Sequence, residues 1–125
     1  MLVYSVASKQ SFEMIRIIRD KILNHLVYSS LYTNPFSILS SNTFHKGADW
    51  VPIIVVGNKS DLRPEQRQVR PEDGKAIGEE FKCAWTEASA RYNENVSKAF
   101  ELIIAEIEKS QNPSEPTGGS KCAVM

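Results

Sequence analysis

Cysteine is scarce: the 125-residue chain holds two, Cys83 and Cys122. A disulfide between them is not expected, because Cys122 sits in a Gly/Ser-rich tail and nothing else points to an oxidising compartment. Cys83 reads as a small buried hydrophobe. Net charge is missing as well. Lys+Arg and Asp+Glu stand at 15 each, so no global field favours nucleic acid or an acidic partner. No apolar run is long enough to span a bilayer. The N-terminal MLVYSV reads as a strand rather than a signal peptide. These absences lead to the expectation of a cytosolic chain. What is present, 42% hydrophobic and 24% charged residues, is ordinary for one globular domain.

The apolar pattern alternates between two kinds of element. Residues 2–6, LVYSV, read as a short strand. Ser8 is a candidate N-cap for a helix to about Leu26, with Phe12, Ile15, Ile18 (or Arg19), Ile22 and Leu26 as one stripe. Residues 51–56, VPIIVV, do not alternate, which suits a strand covered on both faces. Pro71 opens a helix whose first turn carries Glu72 and Asp73, and Ile77 and Phe81 are its expected buried face. CAWTE, residues 83–87, reads as a third strand. The last helix is expected from about Asn93 to Lys109, with Val96, Phe100, Ile103 and Ile107 inward. Residues 1–110 therefore form the domain, and residues 111–125 a flexible tail. The order β-α-β-α-β-α implies an α/β fold with parallel strands and right-handed crossovers. Ligands of such sheets bind beyond the C-terminal strand ends.

Residues 27–46, VYSSLYTNPFSILSSNTFHK, break this pattern. They are serine-rich, and no carboxylate occurs between Asp20 and Asp49. Connections of this kind usually take about 4–6 residues. An inserted loop or element is one reading. A partner-binding loop is another, given Tyr28, Tyr32, Phe36 and Phe44. The favoured reading is a translated, unspliced intron. Every valine codon begins GT, so Val27 can supply a 5′ splice site. Lys46 can supply the 3′ AG, and Ser41-Asn42 can encode a branch sequence. Excising the block keeps the reading frame and joins LNHL to GADWVP.

The chemistry concentrates in IIVVGNKSD, residues 53–61. An ionised carboxylate at Asp61 accepts hydrogen bonds and cannot donate them. Guanine offers a matching donor pair on its N1–H and 2-amino edge, whereas adenine presents an acceptor at N1. Such a site discriminates by roughly 10⁴ or more, because the wrong ligand leaves buried polar groups unpaired. Asn58 brings a donor and an acceptor, suited to N7 and to bracing a neighbouring loop. The Lys59 stem can lie on the base plane. Past the next strand comes EASAR. There Ser89 can orient Asp61, the Ala90 backbone N–H can face the guanine O6, and Arg91 can lie over the ring. N-K-x-D alone is a modest signal, since a solvated turn after a strand produces it too. The second patch strengthens it.

VVGNKSDL and EASAR resemble the guanine-recognition motifs of Ras-type small GTPases. LVYSVASKQSFEMI, QVRPEDGKAIGEEF and NVSKAFELIIAEIEK resemble elements of the same family, and the likeness leans to its Rheb branch. It covers nearly the whole chain except residues 27–46. Arg91 departs from the family's usual lysine, which keeps a stacking role but changes the shape of the cation. The resemblance implies a partial P-loop NTPase (Ras-like) fold with the N-terminal half of the domain missing. It implies a GTP/GDP-binding signalling switch that hydrolyses GTP. A GTPase-activating protein and a growth-signalling kinase of the target-of-rapamycin type are its implied partners.

Several parts of that family are not found. The phosphate-cradling G-x-x-x-x-G-K-[ST] is absent. The D-x-x-G motif is absent, as are a hydroxyl placed for Mg²⁺ and a glutamine placed to orient water. Mg²⁺ is therefore expected only with the missing N-terminal half. The chain alone is expected to fold poorly and to hydrolyse nothing. The competing expectation is a non-catalytic, lipid-anchored interaction fragment. The terminal CAVM resembles a farnesylation signal, which implies farnesyltransferase as a partner and a thioether on Cys122. One lipid chain without a polybasic run gives weak attachment to cytoplasmic membrane faces.

Overall fold

The structure is a computed structural model and describes residues 1–33 and 51–111. Its elements are β1 (Leu2–Ser5), α1 (Lys9–Thr33), β2 (Ile54–Asn58), a 3₁₀ turn (Pro64–Gln66), α2 (Pro71–Glu80), β3 (Ala84–Ala88) and α3 (Val96–Gln111). The expected alternation holds. The three strands are parallel, in the order β1-β2-β3, with Leu2 opposite Val55 and Val55 opposite Trp85. This is an α/β architecture with a parallel sheet, as the alternation implied.

β2 lies in the middle, and its residues Ile54 to Gly57 are all buried, as an unbroken apolar run requires. The strand begins at Ile54 rather than Val51. Pro52 has no N–H to give a ladder, so pairing starts only beyond it. One face of the sheet packs Leu2, Tyr4 and Val55 against Ile15 of α1 and Ile77 of α2. The other packs Ile54, Val56 and Ala88 against Ala99 of α3.

Ser8 caps α1 as expected. Its hydroxyl accepts the Ser11 N–H at 3.2 Å, which satisfies one orphan donor of the first turn. The helix then runs past Leu26 to Thr33. The first residue after Leu26 that a helix cannot accommodate is Pro35, which also restricts the residue before it. The stripe holds at Phe12, Ile15 and the alternative Arg19, and departs from expectation at Ile22. Ile15 is buried and Phe12 meets the Tyr4 ring edge-on at 5.0 Å. Ile18 and Ile22 are exposed. Arg19 takes the inward place, with its guanidinium 4.5 Å from the Phe81 ring centroid. Residues 34–50, which include residues 34–46 of the atypical block, lie outside the described residues, as does the tail from residue 112.

α3 is rotated from its expected seat. Ala99 is buried, with Leu102 and Ile103 beside it. Phe100 stands 57% exposed, and Ile104 and Ile107 follow it on the exposed flank. The small Ala99 side chain lets the helix axis approach β2 and β3, so the wider residues flank the contact. Among the described residues α3 packs on β2 and β3 and not on β1, and Val3 of β1 is 53% exposed. No described helix is long and apolar enough to cross a membrane.

Candidate functional site

The two motifs meet at the C-terminal edge of the sheet. Asn58 closes β2, and its backbone C=O accepts the Val6 N–H at 3.0 Å. Lys59 then adopts a left-handed backbone, φ 68°, which is strained for a non-glycine residue. The reversal carries the chain back so that Ser60 N–H donates to Ala88 C=O at 3.1 Å. Leu62 N–H closes the turn on Lys59 C=O at 3.1 Å. Gly57 precedes this turn because the Tyr4 side chain crosses β2 there. A Cβ on Gly57 would stand 2.7 Å from the Tyr4 hydroxyl.

Five of the expected site residues are joined by hydrogen bonds. The Ser89 hydroxyl donates to Asp61 Oδ1 at 2.7 Å. That serine is fully buried, so it holds the carboxylate from behind. Among the described residues no donor reaches Asp61 Oδ2. Asn58 Oδ1 accepts the Lys59 N–H at 2.8 Å and the Ala90 N–H at 3.3 Å. Asn58 therefore braces the second loop, as read from its chemistry. The Ala90 N–H, expected to face a ligand oxygen, is turned to Asn58 in this structure. Its long bond leaves it able to share its hydrogen with a second acceptor.

Lys59 and Arg91 are exposed cations at the rim. The Arg91 guanidinium lies 5.2 Å from the Tyr92 ring centroid, so its stacking partner here is Tyr92. Cys122 lies outside the described residues. Sequence reasoning missed four neighbours: Tyr92, Arg67, Glu87 and Asn95. Arg67 and Glu87 form an ion pair with side chains 11% and 16% exposed. Asn93 and Asn95 have positive φ, 55° each. Two asparagines flanking a glutamate just before a helix are a sequence signal for left-handed turns.

One carboxylate oxygen of Asp61 is fixed and its twin is free to accept. Among the described residues there is no group of three or more His, Cys, Asp or Glu that could hold a metal ion. A cavity of about 270 Å³ lies at the opposite, N-terminal end of the strands, lined by Arg19, Ile53, Phe81, Cys83 and Glu106 among others. Burial pushes the Cys83 thiol up from its ordinary value, with Glu106 adding to it, so the thiol there stays protonated and is a poor nucleophile.

A family model described as the Ras family matches residues 1–109. The small monomeric GTPase RhbA of Aspergillus fumigatus is 60% identical over 99% of this chain and 56% of its own length. The GTP-binding protein rhb1 of Schizosaccharomyces pombe is 56% identical over 98% of this chain and 55% of its own. The human GTP-binding protein Rheb is 36% identical over 99% and 55%. The chain thus spans about half the length of the curated relatives it matches.

Proposed function

The chain belongs to the Ras family, and from that premise we propose that it carries the guanine-recognition part of a Rheb-like nucleotide switch. The observation that carries this reading is the 2.7 Å bond from Ser89 to Asp61, which makes one acceptor unit of two motifs far apart in sequence. In this reading Asp61 accepts the N1–H and 2-amino donors of guanine. Ser89 and Asn58 hold the two loops together, and Asn58 Nδ2 serves N7. The Ala90 N–H serves O6. Lys59 and Arg91 cover the two faces of the ring. The relatives' names, GTP-binding protein and small monomeric GTPase, support the ligand.

GTP hydrolysis is proposed for the whole protein, in which the phosphate-binding and Mg²⁺-binding residues belong to the length of the relatives that this chain does not match. The chain by itself is then a base pocket of weak affinity, on the order of millimolar, and inactive as a GTPase. We further propose that Cys122 is farnesylated by farnesyltransferase, which places the protein loosely on cytoplasmic membrane faces. The proposed regulators and effectors are a GTPase-activating protein and a target-of-rapamycin-type kinase. A second reading, a non-catalytic lipid-anchored interaction fragment, draws on the exposed apolar flank of Phe100, Ile104 and Ile107.

Two measurements test this. Titration of the purified chain, followed by amide NMR, is expected to show GMP preferred over AMP and GTP no tighter than GMP. Equal GMP and AMP binding refutes the base assignment. Tight, Mg²⁺-dependent GTP binding refutes the division of labour. In cells, Cys122→Ser is expected to move the protein to the soluble fraction, and unchanged fractionation counts against the lipid.

A further inference from the structure

Glu87 stands on β3 two residues before Ser89, and its carboxylate pairs with Arg67 rather than with any of the proposed site residues. Yet three segments meet on it. Its carboxylate is gripped by both arms of the Arg67 guanidinium, Nη1 to Oε2 at 3.2 Å and Nη2 to Oε1. Arg67 Nε donates to the Val69 C=O at 3.3 Å, so the guanidinium plane is fixed by a third bond. Arg67 belongs to the segment that leaves the Asn58–Asp61 turn. On the main-chain side, the Glu87 C=O accepts Asn95 Nδ2 at 3.0 Å. Asn95 ends the loop that carries Ser89, Ala90 and Arg91. That loop is closed by two backbone bonds between Ser89 and Glu94, each 3.0 Å.

These contacts come at a cost. A largely buried ion pair surrenders hydration on both partners. A left-handed non-glycine residue carries backbone strain. Both burdens fall on one strand end, beside the loops whose mutual position decides where Asp61 points. Hydrogen bonds weaken steeply with angle, and a recognition site tolerates displacements of only about 0.5 Å.

We propose that Arg67, Glu87 and Asn95 form a positioning brace, with Glu87 as its hub, that aims Asp61 at the 2-amino edge of a guanine base. The inference rests on the guanine-site reading above. Arg67 anchors the first loop to β3, Asn95 anchors the second loop to the same residue, and Ser89 transmits the register to Asp61. The ligand class is a purine nucleotide carrying a 2-amino group. The brace acts on discrimination through geometry and contributes no contact to the ligand.

The test is titration of the full 125-residue chain with GMP and with IMP, which differ only in the 2-amino group, alongside thermal melting. The wild-type chain is expected to bind GMP about tenfold tighter than IMP. Asn95→Gly keeps the left-handed backbone and deletes the anchor. Arg67→Lys keeps the charge and deletes the fork. Both are expected to bring the GMP-to-IMP ratio below about threefold. Arg16→Ala, which breaks the remote Arg16–Glu80 pair between α1 and α2, is expected to lower the melting temperature and leave the ratio unchanged. If Asn95→Gly and Arg67→Lys lower the melting temperature but keep the wild-type ratio, the brace is merely structural and the proposal is overturned. If the wild-type chain itself does not prefer GMP to IMP, the functional reading fails and takes this inference with it.

Discussion

Gly57 shows how a motif residue serves packing. Its hydrogen leaves room for the Tyr4 ring, which lies across β2 and accepts the Trp85 indole N–H on its hydroxyl at 3.2 Å. Gly74 of α2 faces the same pair, and a Cβ there would collide with the Tyr4 hydroxyl and the Trp85 indole. Gly57→Ala and Gly74→Ala should each cost about 1–3 kcal/mol, the usual penalty of overpacking, measured by denaturant unfolding. An unchanged midpoint for both would show that the Tyr4–Trp85 pair moves aside freely. The same neighbourhood sets an alkaline limit. Burial raises Tyr4 above its ordinary 10.0 and Cys83 above its ordinary 9.0. A pKa raised on folding contributes stability that is whole below the unfolded value and fades as pH climbs toward the folded one. Stability should therefore decline from about pH 9 upward, and Cys83→Ala should delay the onset toward the tyrosine range. A flat profile from pH 8 to 11 would contradict this.

At the scale of elements, the two seats of α3 and α2 make opposite predictions for similar residues. Ile77 is fully buried between α2 and the sheet, so Ile77→Ala should cost about 2–5 kcal/mol. Phe100 is the largest apolar residue of α3, yet Phe100→Ala should stay within about 0.5 kcal/mol in this chain, as an exposed site does. A large loss at Phe100 would mean that α3 is seated as its sequence stripe suggests. That stripe was legible, but its phase was not. Period alone does not say whether Ala99 or Phe100 points at a strand, because a small residue buries well where helix and sheet come close. The alternation of elements, the parallel sheet and the Ser89–Asp61 contact followed from local pattern and side-chain chemistry. The end of α1 did not, since a serine-rich run lacks the breaker that a boundary needs until Pro35. The Arg67–Glu87 pair was illegible for another reason. Its partners lie on separate elements, and nothing local to either residue marks the other.

For the whole molecule, the described residues divide into a well-knit edge and an uncovered one. The strand ends bearing Asn58, Asp61 and Ser89 are cross-linked by short hydrogen bonds. On the far side of α3, Val3, Phe100 and Ile104 stand exposed, and β1 is an outer strand among the described residues. Such an edge invites pairing with other chains. The purified chain should associate as its concentration rises, and Phe100→Lys with Ile104→Lys should suppress this in sedimentation velocity. Association unaffected by both substitutions would place the sticky surface elsewhere. Whether Asp61 reads a base by accepting from its 2-position is decided by Asp61→Asn. Xanthine carries an oxygen where guanine carries the 2-amino group, so a carboxamide should suit it and a carboxylate should not. The measurement is GMP and XMP binding to the wild-type chain and to Asp61→Asn. The preference is expected to reverse, from GMP in the wild type to XMP in the variant. The same order of preference in both proteins would contradict it.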